Sequence, residues 1–123
     1  MSTFVVKEFQ KAFRSNVGTT PNLPSEDERS LRIKLLKEEF DEYMEGENNN
    51  DLVEISDALG DMLYIIYGTA VSYGIPLDEI FLEIHRSNMS KLDEDGNPIF
   101  REDGKVLKGN NYFKPNIAQY INR

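Results

Sequence analysis

Two groups of carboxylates stand out in this sequence. The first is Glu38-Glu39-Phe40-Asp41-Glu42, and the second runs from Glu54 through Asp57 to Asp61. Glu38 and Glu42 are four residues apart and share a helix face, while Glu54, Asp57 and Asp61 stand at i, i+3 and i+7 and share another. Three like charges stacked on a helix that is otherwise uncharged and largely apolar are costly unless something neutralises them. A hard divalent cation held by carboxylate oxygens does so, and Mg²⁺ and Mn²⁺ are cations of that kind. Two antiparallel helices that bring Glu38, Glu39 and Glu42 opposite Glu54, Asp57 and Asp61 would make a carboxylate cage with more charge than one metal ion cancels. The plainer reading of the first group is a solvated helix face. Glu54 also has a local role, because Asp51 and Glu54 fit a capping box. Asp57 and Asp61 have no such explanation, since no Lys or Arg lies between Leu52 and Tyr73 to pair with them.

The elements that must position these acids follow from apolar spacing. Phe4, Val5, Phe9, Ala12 and Phe13 make the stripe of a first helix over residues 3–15. A loop with two prolines and a glycine follows. Ser25 and Glu28 form a capping box that opens a second helix, which is expected to end near Met44 or Glu45 with Gly46 as its stop. The polar run over residues 46–51 is short, which favours antiparallel neighbours. The third helix is expected from about Leu52 to Tyr73, ending at Gly74 and Pro76. Gly60 and Gly68 inside it weaken the helix by about 1 kcal/mol each, and close helix–helix approach would explain them. A fourth helix starts near Asp78 and runs towards Met89 or Lys91. Beyond Leu92, residues 93–98 and 102–104 are turn signals, Ile99-Phe100-Arg101 and Lys105-Val106-Leu107 flank the second of them as a possible small hairpin, and Pro115 suggests a short terminal helix.

Composition narrows the class. A length of 123 residues suggests one domain, 1–123, with a helical core over about 3–92 and a tail over about 93–123. There is no cysteine, so disulfides and thiolate metal sites are excluded. The net charge of −8 argues against nucleic acid as a partner. The acids are concentrated before residue 86, and residues 86–123 carry a slight excess of Lys and Arg. Such a chain suits a metal–phosphate site, with the body holding cations and the tail reaching for anions. The longest apolar region, Met62 to Tyr73, is too short to span a bilayer, and the N-terminus lacks the pattern of a signal peptide, so no membrane association and a cytoplasmic location are expected. His85 is the only histidine and has no Glu three residues before it, which removes the paired Glu-x-x-His motif of helical di-iron proteins.

Glu38-Glu39-Phe40-Asp41-Glu42 followed by acids on the next helix resembles the EExxE…ExxD signature of the all-α nucleoside triphosphate pyrophosphohydrolases, a superfamily that includes MazG-type enzymes, dimeric dUTPases and phosphoribosyl-ATP pyrophosphohydrolase. The second half fits in two registers. Glu54-Ile55-Ser56-Asp57 matches ExxD literally. Gly60-Asp61-Met62-Leu63-Tyr64 looks like the family's aspartate with its apolar run, and in that register Ala58 stands where the glutamate belongs. Residues 83–109 are similar to the tail of a small, single-domain MazG-like subgroup, so the likeness covers roughly residues 25–115.

The resemblance implies an all-α, four-helix MazG-like bundle with a short C-terminal loop or hairpin tail, assembled as a homodimer or dimer of dimers. It also implies Mg²⁺-dependent hydrolysis of a (deoxy)nucleoside triphosphate, with dUTP the first guess, to monophosphate and pyrophosphate. Glu38, Glu42, Glu54, Asp57 and Asp61 are then the metal ligands, and Glu39 positions or deprotonates water or is a further ligand. Arg86, Asn88, Lys91, Lys105, Lys108 and Tyr112 are the substrate contacts. The alternative from another class is a non-catalytic all-α dimeric regulatory or assembly module, whose acids are only a solvated face.

Overall fold

The computed structural model describes residues 2–123. The chain is all-α, with helices α1 (Ser2–Ala12), α2 (Glu26–Asn48), α3 (Leu52–Tyr73), α4 (Leu77–Met89) and α5 (Ala118–Ile121). Among the described residues there is no strand, only an isolated antiparallel bridge between Phe100 and Val106. The chain divides into two compact units, Met1–Leu77 and Asp78–Arg123.

In the first unit α2 packs along α3, and α1 packs on α3. The N-caps form, with Ser25 Oγ accepting from Glu28 N–H at 3.2 Å and Asp51 Oδ1 from Val53 and Glu54 N–H, each at 3.1 Å. The capping boxes are not closed: Asp51 N–H donates to Gly46 O at 3.0 Å, and the Glu28 carboxylate accepts from Asn16 Nδ2 at 3.2 Å. Gly74 closes α3 in the left-handed conformation with φ 69°, which glycine adopts without strain. Two glycines differ from expectation. Gly46 does not stop α2, which continues to Asn48. It is buried, and a Cβ there would sit 3.0 Å from Ile55 N, so it serves the close approach of α3. The turn falls instead at Asn50, with φ 51°. At Gly60 no atom of the described chain beyond its own stretch of helix backbone lies within 4 Å of where a Cβ would be, so close approach explains Gly68 and not Gly60. Helix α1 also ends earlier than its apolar stripe, because the chain turns through Arg14 at φ 59°.

The loop after α1 is tied to the C-terminal end of α3. Gly18 N–H donates to Val71 O at 2.8 Å, Asn22 N–H to Tyr73 O at 3.0 Å, and Asn16 Nδ2 to Ser72 O at 3.2 Å. Val6, Ala58, Ala70, Val71 and Ile80 are the buried apolar residues. Many larger ones are exposed, among them Ile33, Phe40, Leu59, Leu63 and Ile66. No helix among the described residues is long and apolar enough to cross a membrane.

In the second unit the tail is strapped to α4. The buried Glu83 carboxylate accepts from Asn116 N–H at 2.6 Å and from Arg86 Nε at 3.0 Å. These bonds, the Asn116 N–H first and Arg86 next, hold its carboxyl below the ordinary range. Ser87 Oγ donates to Phe113 O at 2.8 Å, and Ser90 Oγ accepts from Phe113 N–H at 3.1 Å. The hairpin exists as backbone pairing: Arg101 N–H donates to Lys105 O at 2.8 Å and Leu107 N–H to Ile99 O at 2.7 Å.

Candidate metal and nucleotide site

The short turn between α2 and α3 makes them antiparallel neighbours, and their acids meet. Glu39 and Glu42 on α2 and Asp61 on α3 place one carboxylate oxygen each within 4.8 Å of one another. Glu42 and Asp61 are exposed, whereas Glu39 is half-buried. Its Oε2 is buried without a hydrogen-bond partner. An orphaned carboxylate oxygen is costly in a folded chain. A proton shared with Glu42 is the main cause that pushes the Glu39 carboxyl up to about 7, helped by partial burial and by the charges of Glu42, Asp61 and Asp57. An all-oxygen, anionic donor set with one unsatisfied buried oxygen fits a hard divalent cation.

Of the acids singled out by spacing, Glu39, Glu42 and Asp61 are gathered here, and Asp57 stands close enough for its charge to act on Glu39. Glu38 is exposed and outside the group, and Glu54 lies beside Gly46 near the α2–α3 turn. The α3 acid that meets the α2 pair is therefore Asp61. Ala58, three residues before it, is buried at 1 % exposure and offers no oxygen.

A cavity of about 290 Å³ adjoins these acids, lined by Glu39, Asp61, Phe9, Gln10, Arg32 and Tyr64 together with apolar residues of the three helices. Spacing placed Phe9 in the apolar stripe of α1 but marked none of these last four as a site residue. Two signals were available: Gln10 interrupts the apolar stripe of α1, and Arg32 falls at i, i+3 and i+7 with Leu35 and Glu39. Arg32 Nε donates to Thr69 Oγ1 at 2.9 Å and Nη2 to Ile65 O at 2.7 Å, binding α2 to α3. Burial lowers the Arg32 pKa, partly offset by Glu28.

The sequence profile of phosphoribosyl-ATP pyrophosphohydrolase matches residues 6–88, two-thirds of the chain. The chain belongs to this family. The matched span holds every member of the acidic cluster and every residue named on the cavity wall. An uncharacterised protein of Acanthamoeba polyphaga mimivirus is 35% identical over 107 residues, which are 84% of this chain and 40% of that protein. A crystal structure from Exiguobacterium sp. 255-15, of a protein provisionally named an NTP pyrophosphohydrolase, matches at 31% identity with a TM-score of 0.51. It covers 90% of this chain, which spans 66% of that one. The chain thus spans only part of the length of both relatives, and the family's all-α fold is the one seen here.

The polar residues predicted to contact substrate lie in the second unit, most of them beyond the family match. Arg86 pairs with Glu83 and sits over the Phe113 ring at 4.5 Å. Lys108 Nζ lies over the Tyr112 ring at 4.8 Å. Lys91 is joined through its carbonyl to Gly109 N–H at 2.9 Å. Asn88 and Lys105 are exposed.

Proposed function

We propose that this protein is a Mg²⁺-dependent nucleoside triphosphate pyrophosphohydrolase, with Mn²⁺ able to substitute. It cleaves a (deoxy)nucleoside triphosphate, dUTP the first candidate, to monophosphate and pyrophosphate. The observation that carries this reading is the buried, unpartnered Glu39 Oε2 beside Glu42 and Asp61. Glu39, Glu42 and Asp61, with Asp57 beside them, would hold the metal. When bound, it would neutralise the triphosphate and acidify water at the site. Glu39 holds or deprotonates that water if it is not itself a ligand, since its carboxyl titrates near neutrality when no cation is present. Glu38 and Glu54 would contribute negative potential from outside the group. Arg86, Asn88, Lys91, Lys105, Lys108 and Tyr112 are proposed to meet the phosphates and sugar, the lysines as mobile point charges.

The exposed apolar residues of α2 and α3 support self-association as a homodimer or dimer of dimers, because a monomer rarely leaves that much apolar surface wet. A cytoplasmic location accords with this activity. The non-catalytic module keeps one observation in its favour, the missing carboxylate at Ala58. A panel of nucleoside triphosphates with Mg²⁺, scored for monophosphate and pyrophosphate, separates the two: a module turns over none of them.

A further inference from the structure

Gln10 is 2 % exposed, and its amide nitrogen is fully used. It donates to Asn16 O at 2.7 Å and to Ser72 Oγ at 3.1 Å, and Ser72 Oγ in turn donates to Asn16 O at 3.2 Å. This network fixes which end of the carboxamide is which. Oε1 is the free end and has no hydrogen-bond partner among the described residues. It lies beside Arg32 over Gly68, where a Cβ would run into Arg32 Nη2 and come within 2.8 Å of Gln10 Oε1. Arg32 uses two of its five N–H bonds, on Thr69 and Ile65. No salt bridge among the described residues holds it.

The cavity wall therefore includes a fixed acceptor and a charged donor as well as the Glu39 and Asp61 acids. Arg32 and Glu39 are seven residues apart on α2, about 10 Å along the axis, which leaves room for a sugar between base and phosphate. Phe9 and Tyr64 meet edge to face with centroids 5.6 Å apart, and the two residues are still 43% and 40% exposed. Such rings can take a flat heterocycle. A cavity of about 290 Å³ is at the small end of ligand pockets, roughly 300–1,000 Å³.

A carboxamide with both ends free pairs with adenine through its N6 and N7. Here the nitrogen is committed, so Gln10 can only accept and Arg32 can only donate. The complement of that pair is an N–H beside a carbonyl oxygen. Uracil, thymine and guanine carry such a lactam edge. Adenine has no carbonyl, and the amino group of cytosine adjoins a ring nitrogen, a poorer acceptor for a guanidinium than a carbonyl oxygen. We propose that this cavity is the base pocket and selects a lactam nucleobase, with Gln10 and Arg32 as its specificity-determining residues.

The inference rests on reading the acidic cluster as a phosphate site, so its test has two arms. In the first, the full chain with Mg²⁺ is given dUTP, dTTP, dGTP, dCTP and dATP. The expected kcat/KM for the best lactam base exceeds those for dATP and dCTP about tenfold, the value of one good hydrogen bond. Gln10→Met and Arg32→Lys bring that ratio towards one, whereas loss of a merely structural contact lowers every substrate alike. Turnover without base preference, or a preference for dATP or dCTP, overturns the pocket and leaves the proposed activity standing. In the second arm, dUMP, dGMP, dCMP and dAMP are titrated into the metal-free protein by calorimetry. Tighter binding of dUMP or dGMP in a chain that cleaves no triphosphate keeps the pocket and removes the proposed activity. No selective binding there, together with no turnover, overturns both.

Discussion

Glu39 on α2 and Asp61 on α3 bring carboxylate oxygens within 4.8 Å of each other from two different helices, and the charge of Asp61 adds to the causes that raise the Glu39 carboxyl to about 7. This meeting of two acids marks the candidate site. The pH behaviour of the metal-free protein is set first by the hydrogen bond between Glu39 and Glu42, with the Asp61 charge adding to it.

Between pH 4.5, the ordinary value for this carboxyl, and about 7, the folded chain holds a proton on Glu39 that the unfolded chain has released. The folded state binds more protons there, so stability falls as pH rises. The contribution is complete below the unfolded value and is lost as pH passes through the folded one. With chelator present, the melting temperature is expected to decline across this window, and Glu39→Gln is expected to flatten the decline. Saturating Mg²⁺ should reverse the slope, because the cation competes with the proton. Thermal melts at closely spaced pH values, with and without Mg²⁺, check it; a flat wild-type curve in chelator contradicts the assignment of the raised carboxyl to Glu39.

Much of this architecture is legible in the sequence, for local reasons. Asp51 and Gly74 bound α3 because a cap and a left-handed glycine act within one turn. Gly46 misleads, since a glycine that ends a helix and a glycine that lets another helix approach look alike until Ile55 is seen beside it. The difference between Glu54 and Asp61 is not local either: both lie on the same face of α3, and only the way α2 and α3 pack brings Asp61 to Glu39 and Glu42. Gln10 and Arg32 are visible only as polar breaks in apolar stripes, because their partners Ser72 and Thr69 lie far along the chain.

Metal should stabilise the fold through a defined set of acids. At a free concentration of 100 Kd, a ligand bound only by the folded state adds about 2.7 kcal/mol. Asp61→Asn and Glu42→Gln are expected to abolish most of the Mg²⁺-induced rise in melting temperature, Asp57→Asn to reduce it, and Glu54→Gln to leave it nearly intact. Differential scanning fluorimetry on the four variants reads the order directly. An undiminished rise in Asp61→Asn together with a lost one in Glu54→Gln would move the site to the other register.

Glycine substitutions test the packing independently of any ligand. At Gly18 a Cβ would lie 2.6 Å from Gly74 N and 2.8 Å from Ser72 O, both backbone atoms that cannot step aside. Gly18→Ala is expected to destabilise by about 1–3 kcal/mol. Gly60 meets nothing within 4 Å, so Gly60→Ala should stabilise by about 1 kcal/mol through helix propensity. Urea denaturation measures both. A destabilised Gly60→Ala would show that another chain covers this face of α3.

The tail residues separate binding from chemistry. Lys105 is exposed, and Lys108 rests on the Tyr112 ring. If they meet the phosphates, Lys105→Ala and Lys108→Ala each raise KM several-fold, with kcat falling where the contact strengthens in the transition state. Steady-state kinetics of the two variants check it, and wild-type values in both would remove the lysines from the site.

The most direct test follows the products of dUTP with Mg²⁺ by ³¹P NMR, for the wild type and for Asp61→Asn. The wild type is expected to release pyrophosphate and dUMP, and Asp61→Asn to leave dUTP intact while remaining folded. Release of orthophosphate and dUDP, or equal turnover by the variant, would contradict a metal-dependent pyrophosphohydrolase site built on Glu39, Glu42 and Asp61.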